Sequence, residues 1–147
     1  MSDLPGLVLA SASPRRRDLL SQLGLSFAVV APDVDETPRP GERAVELVRR
    51  LAVDKAAAVD GDPVLAADTT VEVDGEILGK PTDAADARRM LRRLSGRSHK
   101  VHTGVAVRSG GRLETEVATT IVTFVALTPP VLEWYVGTGE PFDKAGA

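Results

Sequence analysis

Two serines and three arginines follow one another near the start of the 147-residue chain, in an order that suits an anion. Arg15, Arg16 and Arg17 fall in the first turn of a predicted helix, where the positive end of the helix dipole makes cations unfavourable. A bound anion would reverse this, because it could accept backbone N–H bonds, guanidinium bonds and the hydroxyl bonds of Ser11 and Ser13. The stretch is therefore a candidate polyphosphate-binding site. The alternative is that the arginines are only solvated.

A carboxylate follows a buried strand in the middle of the chain. Residues 64–67 form an unbroken run of small apolar side chains, and Asp68 and Thr69 end it. Ligands collect at the carboxyl ends of strands in α/β sheets, and partial burial adapts an aspartate to act as a metal ligand or general base. We therefore expect Asp68 to do chemistry. The alternative is an aspartate that only bonds to Thr70 in a turn.

Two further charges could complete such a site. Glu36 lies in the proline-rich acidic loop 32–41, whose carboxylates are either solvated surface or a ligand for a divalent cation that faces the phosphates. Lys55 lies beside the apolar face of the predicted helix 42–59, so it could extend to solvent or reach inward to a phosphate. Lys80 stands in Gly-Lys-Pro, which resembles a phosphate loop in composition but not in spacing.

Hydrophobic periodicity predicts the elements that would position these residues. A strand over 8–10 leads to a helix that begins at Pro14 with Ser13 as its N-cap and stops at Gly24, with Leu19, Leu20 and Leu23 on an apolar face. In the first half of the chain, the pattern also predicts a buried strand over 26–31, a helix over 42–59, a strand over 64–67 and a hairpin over 71–78 with its turn at Asp74-Gly75. The second half is predicted to contain a helix from Asp83 to Leu94, a strand over 99–107 and one or two strands over 113–127. A helix from Pro129 follows, with Val131, Leu132, Tyr135 and Val136 facing inward, and the end from 140 is predicted to be loop-like. This order predicts an α/β fold, a mixed sheet flanked by helices. His99 and His102, three apart in a strand, point to opposite faces and are predicted to be structural.

Composition excludes several classes of function. The net charge of −3 and the aromatic content of 3% argue against stable binding of long nucleic acid. No apolar run is long enough to cross a membrane, and without cysteine there is no disulfide framework or thiolate metal site. We expect a single domain over 1–147 in the cytoplasm.

The motifs, taken in order, resemble those of the Maf family of nucleoside triphosphate pyrophosphatases over the whole chain. The stretches that carry the resemblance are Leu9-Ala-Ser-Ala-Ser-Pro-Arg-Arg, Val34-Asp-Glu36, Lys55, Ala67-Asp-Thr69, Gly79-Lys-Pro81, Leu94-Ser-Gly96, Thr103-Gly104 and Glu140-Pro-Phe-Asp-Lys-Ala-Gly146. The resemblance implies an α/β fold related to the inosine triphosphate pyrophosphatases, a homodimer, and hydrolysis of a nucleoside triphosphate to the monophosphate and pyrophosphate with magnesium or manganese. Such enzymes are expected to clean nucleotide pools.

The resemblance also implies roles for individual residues. Asp68 would accept the proton of the attacking water, and Glu36 and Lys55 would supply the other active-site charges, with Glu36 and Asp68 as metal ligands. The positions that would hold the triphosphate are Ser13, Arg15, Arg16 and Lys80, and those tied to base selection are Arg15 and Thr69. An arginine directly after Ser-Pro marks the branch that acts on dTTP and UTP, whereas a tryptophan marks the branch that prefers 7-methylguanosine triphosphate. The resemblance thus predicts the pyrimidine branch.

Two expectations qualify this interpretation. Family members continue beyond Ala-Gly-Ala with a glutamine-glycine segment, so the chain is expected to be a C-terminally truncated member. The alternative function is a non-catalytic regulator of septum formation that acts by binding. Direct attack by water is favoured over a covalent route, because the sequence has no cysteine and no obvious serine–histidine pair.

Overall fold

In the computed structural model, which describes residues 6–146, strands and helices follow one another nearly as periodicity predicts. The elements are β1 (Val8–Ala10), α1 (Pro14–Gln22), β2 (Ala28–Val30), α2 (Ala44–Ala57), β3 (Val64–Val73), β4 (Glu76–Leu78), α3 (Ala84–Leu94), β5 (Ser98–Ser109), β6 (Arg112–Thr123), α4 (Pro129–Gly137) and a 3₁₀ helix (Glu140–Asp143). The strands form one sheet in the order β2-β1-β3-β5-β6, with β4 paired to β3. The α/β class with a mixed sheet is confirmed. Within residues 6–146 no helix combines the length and the apolar character needed to cross a bilayer.

The described residues divide into two compact units. The first consists of residues 6–68 and 103–117, and the second of residues 69–102 and 118–146. The chain therefore enters the second unit within β3, returns to the first within β5, and leaves it again within β6.

The first unit is built on β1, which pairs in parallel with both β2 and β3. Helix α2 packs on this sheet through small side chains. The buried core of the unit consists of Val8, Ala10, Ala52, Ala56, Val59, Val64, Ala66 and Ala106. Small residues allow the helix and strands to approach closely. The closest approach is at Gly104 of β5, where an added Cβ would lie 2.3 Å from the carbonyl oxygen of Val48.

Asp68 does not end a strand. Strand β3 continues through it to Val73, because the threonines and valines that follow favour extended structure as strongly as the run before it. The neighbouring strand β1 does end here, since Ala10 is paired with Ala66 and Ser11 lies outside β1. Asp68 therefore lies just past the carboxyl end of β1. The predicted strand end at Asp68, and the alternative of a turn to Thr70, are both wrong.

The second unit contains the hairpin and the two C-terminal helices. Asp74 and Gly75 form the predicted turn with φ values of 49° and 78°, a conformation that glycine and aspartate tolerate. Helix α3 begins after Asp83, whose side chain accepts a hydrogen bond from the N–H of Asp86 at 2.7 Å. One face of α3 packs against α4, in a cluster formed by Ala87, Leu91, Leu132 and Val136.

Three predictions of burial are wrong. The side chains of Leu19 and Leu23 on α1 are 59% and 70% exposed, and Val30 of β2 is 43% exposed. The apolar pattern of α1 and β2 is real, but β2 lies at one edge of the sheet, where it pairs with β1 alone. Val131 on α4 is half exposed, so α4 faces inward only through Leu132 and Val136 and partly through Tyr135. The loop-like end predicted from 140 begins with the 3₁₀ helix.

Candidate active site

One ammonium group connects the two predicted catalytic carboxylates. The Nζ atom of Lys55 lies 2.9 Å from Oε1 of Glu36 and 2.9 Å from Oδ1 of Asp68. The three residues are 19 and 13 positions apart in the chain. Lys55 was predicted either to extend to solvent or to reach inward to a phosphate. In the structure it reaches inward, and its partners are the two carboxylates.

Three elements of the first unit bring this cluster together. Asp68 comes from β3 beyond the end of β1, Lys55 from the last turn of α2, and Glu36 from the loop between β2 and α2. The side chains of Lys55 and Asp68 are only 12% and 10% exposed, whereas that of Glu36 is 51% exposed. The cluster is therefore shielded from solvent where it meets the sheet and exposed to solvent where it meets the loop.

Burial sets the proton affinity of Asp68. It raises the pKa of the carboxyl above its ordinary value, and the Lys55 ammonium opposes this shift by charge and by its hydrogen bond. The nearby Glu36 carboxylate adds to the rise, and Arg16 works against it. A carboxylate with a raised pKa that remains bonded to a lysine suits a general base, because it accepts a proton more readily than an exposed aspartate.

The serine and arginine stretch lies beside this cluster within the first unit. Ser13 caps α1, since its Oγ accepts a hydrogen bond from the N–H of Arg16 at 3.4 Å. The Oγ of Ser11, which is buried, accepts from the N–H of Ser13 at 3.0 Å and lies 3.5 Å from Nη1 of Arg16. Burial lowers the pKa of the Arg16 guanidinium, and the negative charges of Asp68 and Glu36 partly oppose this by raising it. Arg16 is thus the arginine that joins the stretch to the carboxylates.

The remaining predicted site residues are Arg15, Thr69 and Lys80. Arg15 is exposed on the first turn of α1, in the first unit. Thr69, which is half buried, is the first residue of the second unit, and Lys80 is exposed after β4 in the same unit. Their part in the site stays a prediction.

The residues present fit a divalent cation by their chemistry. Magnesium in nucleotide sites is held by one or two carboxylates, and phosphates and water complete its octahedron. Glu36 and Asp68 provide two carboxylates that lie close enough together to bond to one ammonium, that of Lys55. Among residues 6–146 no three or more histidine, cysteine, aspartate or glutamate side chains group together as a metal site.

Two residues near the site were missed by sequence reasoning. Arg50 and Glu42 form a two-bond ion pair, with distances of 2.7 and 2.9 Å, between α2 and the loop that carries Glu36. The only signal in the sequence is an arginine one position before the buried Leu51, which does not reveal its partner.

The histidines have separate partners in the second unit. The ring of His102 lies between Oε1 of Glu72 at 2.7 Å and Oγ1 of Thr119 at 2.8 Å. His99 is buried and packs edge-on against Phe124. Both rings are thus part of the packing of this unit.

The raised pKa of Asp68 predicts a pH dependence. A base must be ionised to act, so kcat/KM should fall as the pH drops through the pKa of Asp68, which lies above the ordinary 3.8. The measurement is a pH–rate profile, with thermal melts at each pH as a control for unfolding. A kcat/KM that does not fall on the acid side while the protein stays folded would contradict a role for Asp68 as the base.

Comparisons with known proteins show the family to which this chain belongs. The fold is similar to that of the Staphylococcus aureus Ham1 protein, with a TM-score of 0.51 at 21% identity over 79% of this chain and 69% of the other. The model of the family described as Maf-like protein matches residues 6–147. The chain belongs to the Maf-like family.

Relatives within the family are much more similar. A dTTP/UTP pyrophosphatase of Anaeromyxobacter dehalogenans (strain 2CP-C) is 57% identical over 97% of this chain and 76% of its own length. Proteins of the same name from Myxococcus xanthus (strain DK1622) and Chromobacterium violaceum are 57% and 53% identical over 96% of this chain, which covers 74% and 76% of them.

Proposed function

We propose that this chain hydrolyses dTTP and UTP to the monophosphate and pyrophosphate. The observation that carries the proposal is the Glu36–Lys55–Asp68 cluster, where a buried carboxylate of raised pKa lies beside an arginine-bearing helix start. Three similar relatives bear the name dTTP/UTP pyrophosphatase. The cluster combines a base with cationic groups, and phosphoanhydride hydrolysis needs both.

In this mechanism Asp68 accepts the proton of a water molecule whose oxygen forms a bond to the α-phosphorus of the nucleotide. Lys55 is bonded to Oδ1 and fixes the carboxylate, so the second oxygen is the one that takes the proton. The bond between the α- and β-phosphates breaks, and the pyrophosphate leaves. Arg15, Arg16 and Lys80 would bind the phosphates and neutralise the charge that develops on them.

Glu36 and Asp68 would hold a divalent cation together with the phosphates. When bound, magnesium or manganese would supply charge neutralisation on the phosphate oxygens. Lys55 keeps the two carboxylates close to each other, because its ammonium offsets their repulsion.

Base selection would fall to Arg15 and Thr69. The arginine after Ser-Pro favours the pyrimidine nucleotides over 7-methylguanosine triphosphate. A homodimer, a cytoplasmic location and the absence of a stable nucleic-acid partner remain predictions from the sequence. The alternative of a binding role in septum formation is not favoured, since the similar relatives are named as pyrophosphatases.

A substrate panel tests the proposal. We expect release of pyrophosphate from dTTP and UTP at least tenfold faster, in kcat/KM, than from CTP, GTP or 7-methylguanosine triphosphate. Each reaction is measured with magnesium, with manganese and with a chelator, and the chelator should abolish turnover. Turnover of none of the five nucleotides would refute the proposal. A preference for 7-methylguanosine triphosphate would refute the assignment of Arg15.

A further inference from the structure

The loop that carries Glu36 has no secondary structure to hold it in place. Residues 31–43 separate β2 from α2 and contain neither helix nor strand. Glu36 nevertheless lies within hydrogen-bond distance of Lys55, although its side chain is half exposed. A single exposed ion pair contributes too little to order a loop of this length. Another contact must therefore fix the loop.

That contact is made by the guanidinium group of Arg50 on α2. Its Nε and Nη2 atoms bond to the two carboxylate oxygens of Glu42, at 2.7 and 2.9 Å. Nη2 also donates to the backbone carbonyl of Thr37 at 3.2 Å, directly after Glu36 in the chain. Asp54, one turn further along α2, lies 3.4 Å from Nη1 and orients the group from the other side.

The pair is tight as well as shielded. The side chains of Arg50 and Glu42 are only 16% and 8% exposed. Oε1 of Glu42 also accepts the backbone N–H of Arg39 at 3.0 Å. The bonds from Arg50 and from this N–H lower the pKa of Glu42 to about 2, so the carboxylate stays ionised at neutral pH. The loop is thus bound to Arg50 at residues 37 and 42, and at residue 39 through Glu42.

Arg50 and Lys55 then act from one rigid element. They lie five residues apart on α2, which is about 7.5 Å along its axis. Arg50 holds the loop at the carbonyl of Thr37, the residue after Glu36, and Lys55 bonds to the Glu36 carboxylate. The distance from Glu36 to the catalytic aspartate therefore depends on the Arg50 contacts.

We propose that Arg50 is a positioning residue: through Glu42 and the carbonyl of Thr37 it fixes the 31–43 loop on α2, so that Glu36 reaches Lys55. In this role Arg50 acts through the loop and not directly on the substrate. The inference rests on the proposed function for its catalytic consequence, but the ordering of the loop can be measured without turnover.

A double-mutant cycle tests whether Arg50 acts through Glu36. Arg50→Gln should lower kcat for dTTP about ten- to a hundredfold, the range expected when an active-site group is misplaced by about 1 Å. In the Glu36→Gln background the same change should alter kcat less than twofold, because the group it positions is already lost. Arg50→Lys, which keeps the charge but not the two-bond geometry, should fall between Arg50→Gln and the unchanged protein. Equal losses in both backgrounds would overturn the inference.

Amide hydrogen exchange provides the readout that does not depend on activity. Exchange of residues 34–42 should become at least tenfold faster in Arg50→Gln and in Glu42→Gln. It should be unchanged in Arg49→Gln, a neighbouring exposed arginine on the same helix. Thermal melts confirm that each variant is folded, and Arg50→Lys replaces Arg50→Gln if the latter is not. Unchanged exchange would overturn the inference even in an active enzyme, whereas an inactive unmutated protein with the expected exchange would refute only the proposed function.

Discussion

Asp68→Asn is expected to lower kcat about a thousandfold or more and to leave nucleotide affinity nearly unchanged. The amide cannot accept the proton of the attacking water, and loss of a general base of this kind reduces rates by about 10²–10⁴. Binding should persist because the arginines of the α1 start do not depend on Asp68 for their position: Ser11 and Ser13 hold that turn. The measurements are pyrophosphate release and calorimetric titration with a non-hydrolysable dTTP analogue.

The matched control for this variant is Asp60→Asn. Asp60 is an exposed aspartate of the same unit, eight residues earlier in the chain, so the change removes the same charge outside the cluster. Its kcat should stay within about twofold of the unmutated value. Turnover retained in Asp68→Asn would remove Asp68 from the mechanism. Loss of nucleotide binding together with turnover would show that Asp68 holds the substrate.

Gly104→Ala is expected to produce the largest loss of stability of any alanine substitution at a glycine of the first unit. The new Cβ would lie 2.3, 2.5 and 2.9 Å from backbone atoms of Val48 and Arg49 on α2. Backbone cannot rotate away as a side chain can, so α2 must move from the sheet. Overpacking costs about 1–3 kcal/mol, and a clash with backbone puts this variant at the upper end of that range. Thermal unfolding should then show a melting temperature lower by about 10 °C.

A glycine in open space serves as the control. An added Cβ at Gly137 would meet nothing within 4 Å, and this residue is the last of α4, where alanine favours helix. Gly137→Ala should therefore leave the melting temperature within about 2 °C or raise it slightly. If Gly104→Ala melts like Gly137→Ala, the close packing of β5 on α2 is contradicted.

The Gly104 contact also shows what the sequence could and could not predict. Thr103-Gly104 is one of the motifs that carry the family resemblance, but the sequence gives no physical reason for a glycine there. The reason is the close approach of β5 to α2, which only the fold shows. The helices were predicted well, since α2 and α3 have strong apolar periodicity and Ser13 and Asp83 cap their helices as expected. Helix caps and apolar periodicity depend only on residues close together in the chain, so they can be recognised from the sequence alone.

Burial was harder to predict, because it depends on neighbours. Leu19, Leu20 and Leu23 have the right spacing for a core helix, yet Leu19 and Leu23 are exposed and Leu20 is only partly buried. Asp68 was identified as a catalytic candidate for a partly wrong reason. Its own strand does not end there, but the adjacent β1 does, so the rule about carboxyl ends applies to a strand 58 residues earlier in the chain.

Charged partners were the least predictable part of the site. Lys55 was expected to point either to solvent or to a phosphate, and in the structure it bonds to two carboxylates. The Arg50–Glu42 pair could not be predicted, because an ion pair between a loop and a helix leaves no periodic pattern in the sequence.

The divided chain of the first unit has a consequence for synthesis on the ribosome. The core of this unit includes Ala106. The guanidinium of Arg108 donates hydrogen bonds to the carbonyls of Ala56, at 3.2 Å, and of Val59, at the C-terminal end of α2. Neither Ala106 nor Arg108 exists until the 34 residues 69–102 have been added. At the usual 5–20 residues per second, the nascent chain waits about 2–10 s between residue 68 and residue 117. During that interval the buried face of α2 is incomplete, so its apolar side chains are exposed to contacts with other chains.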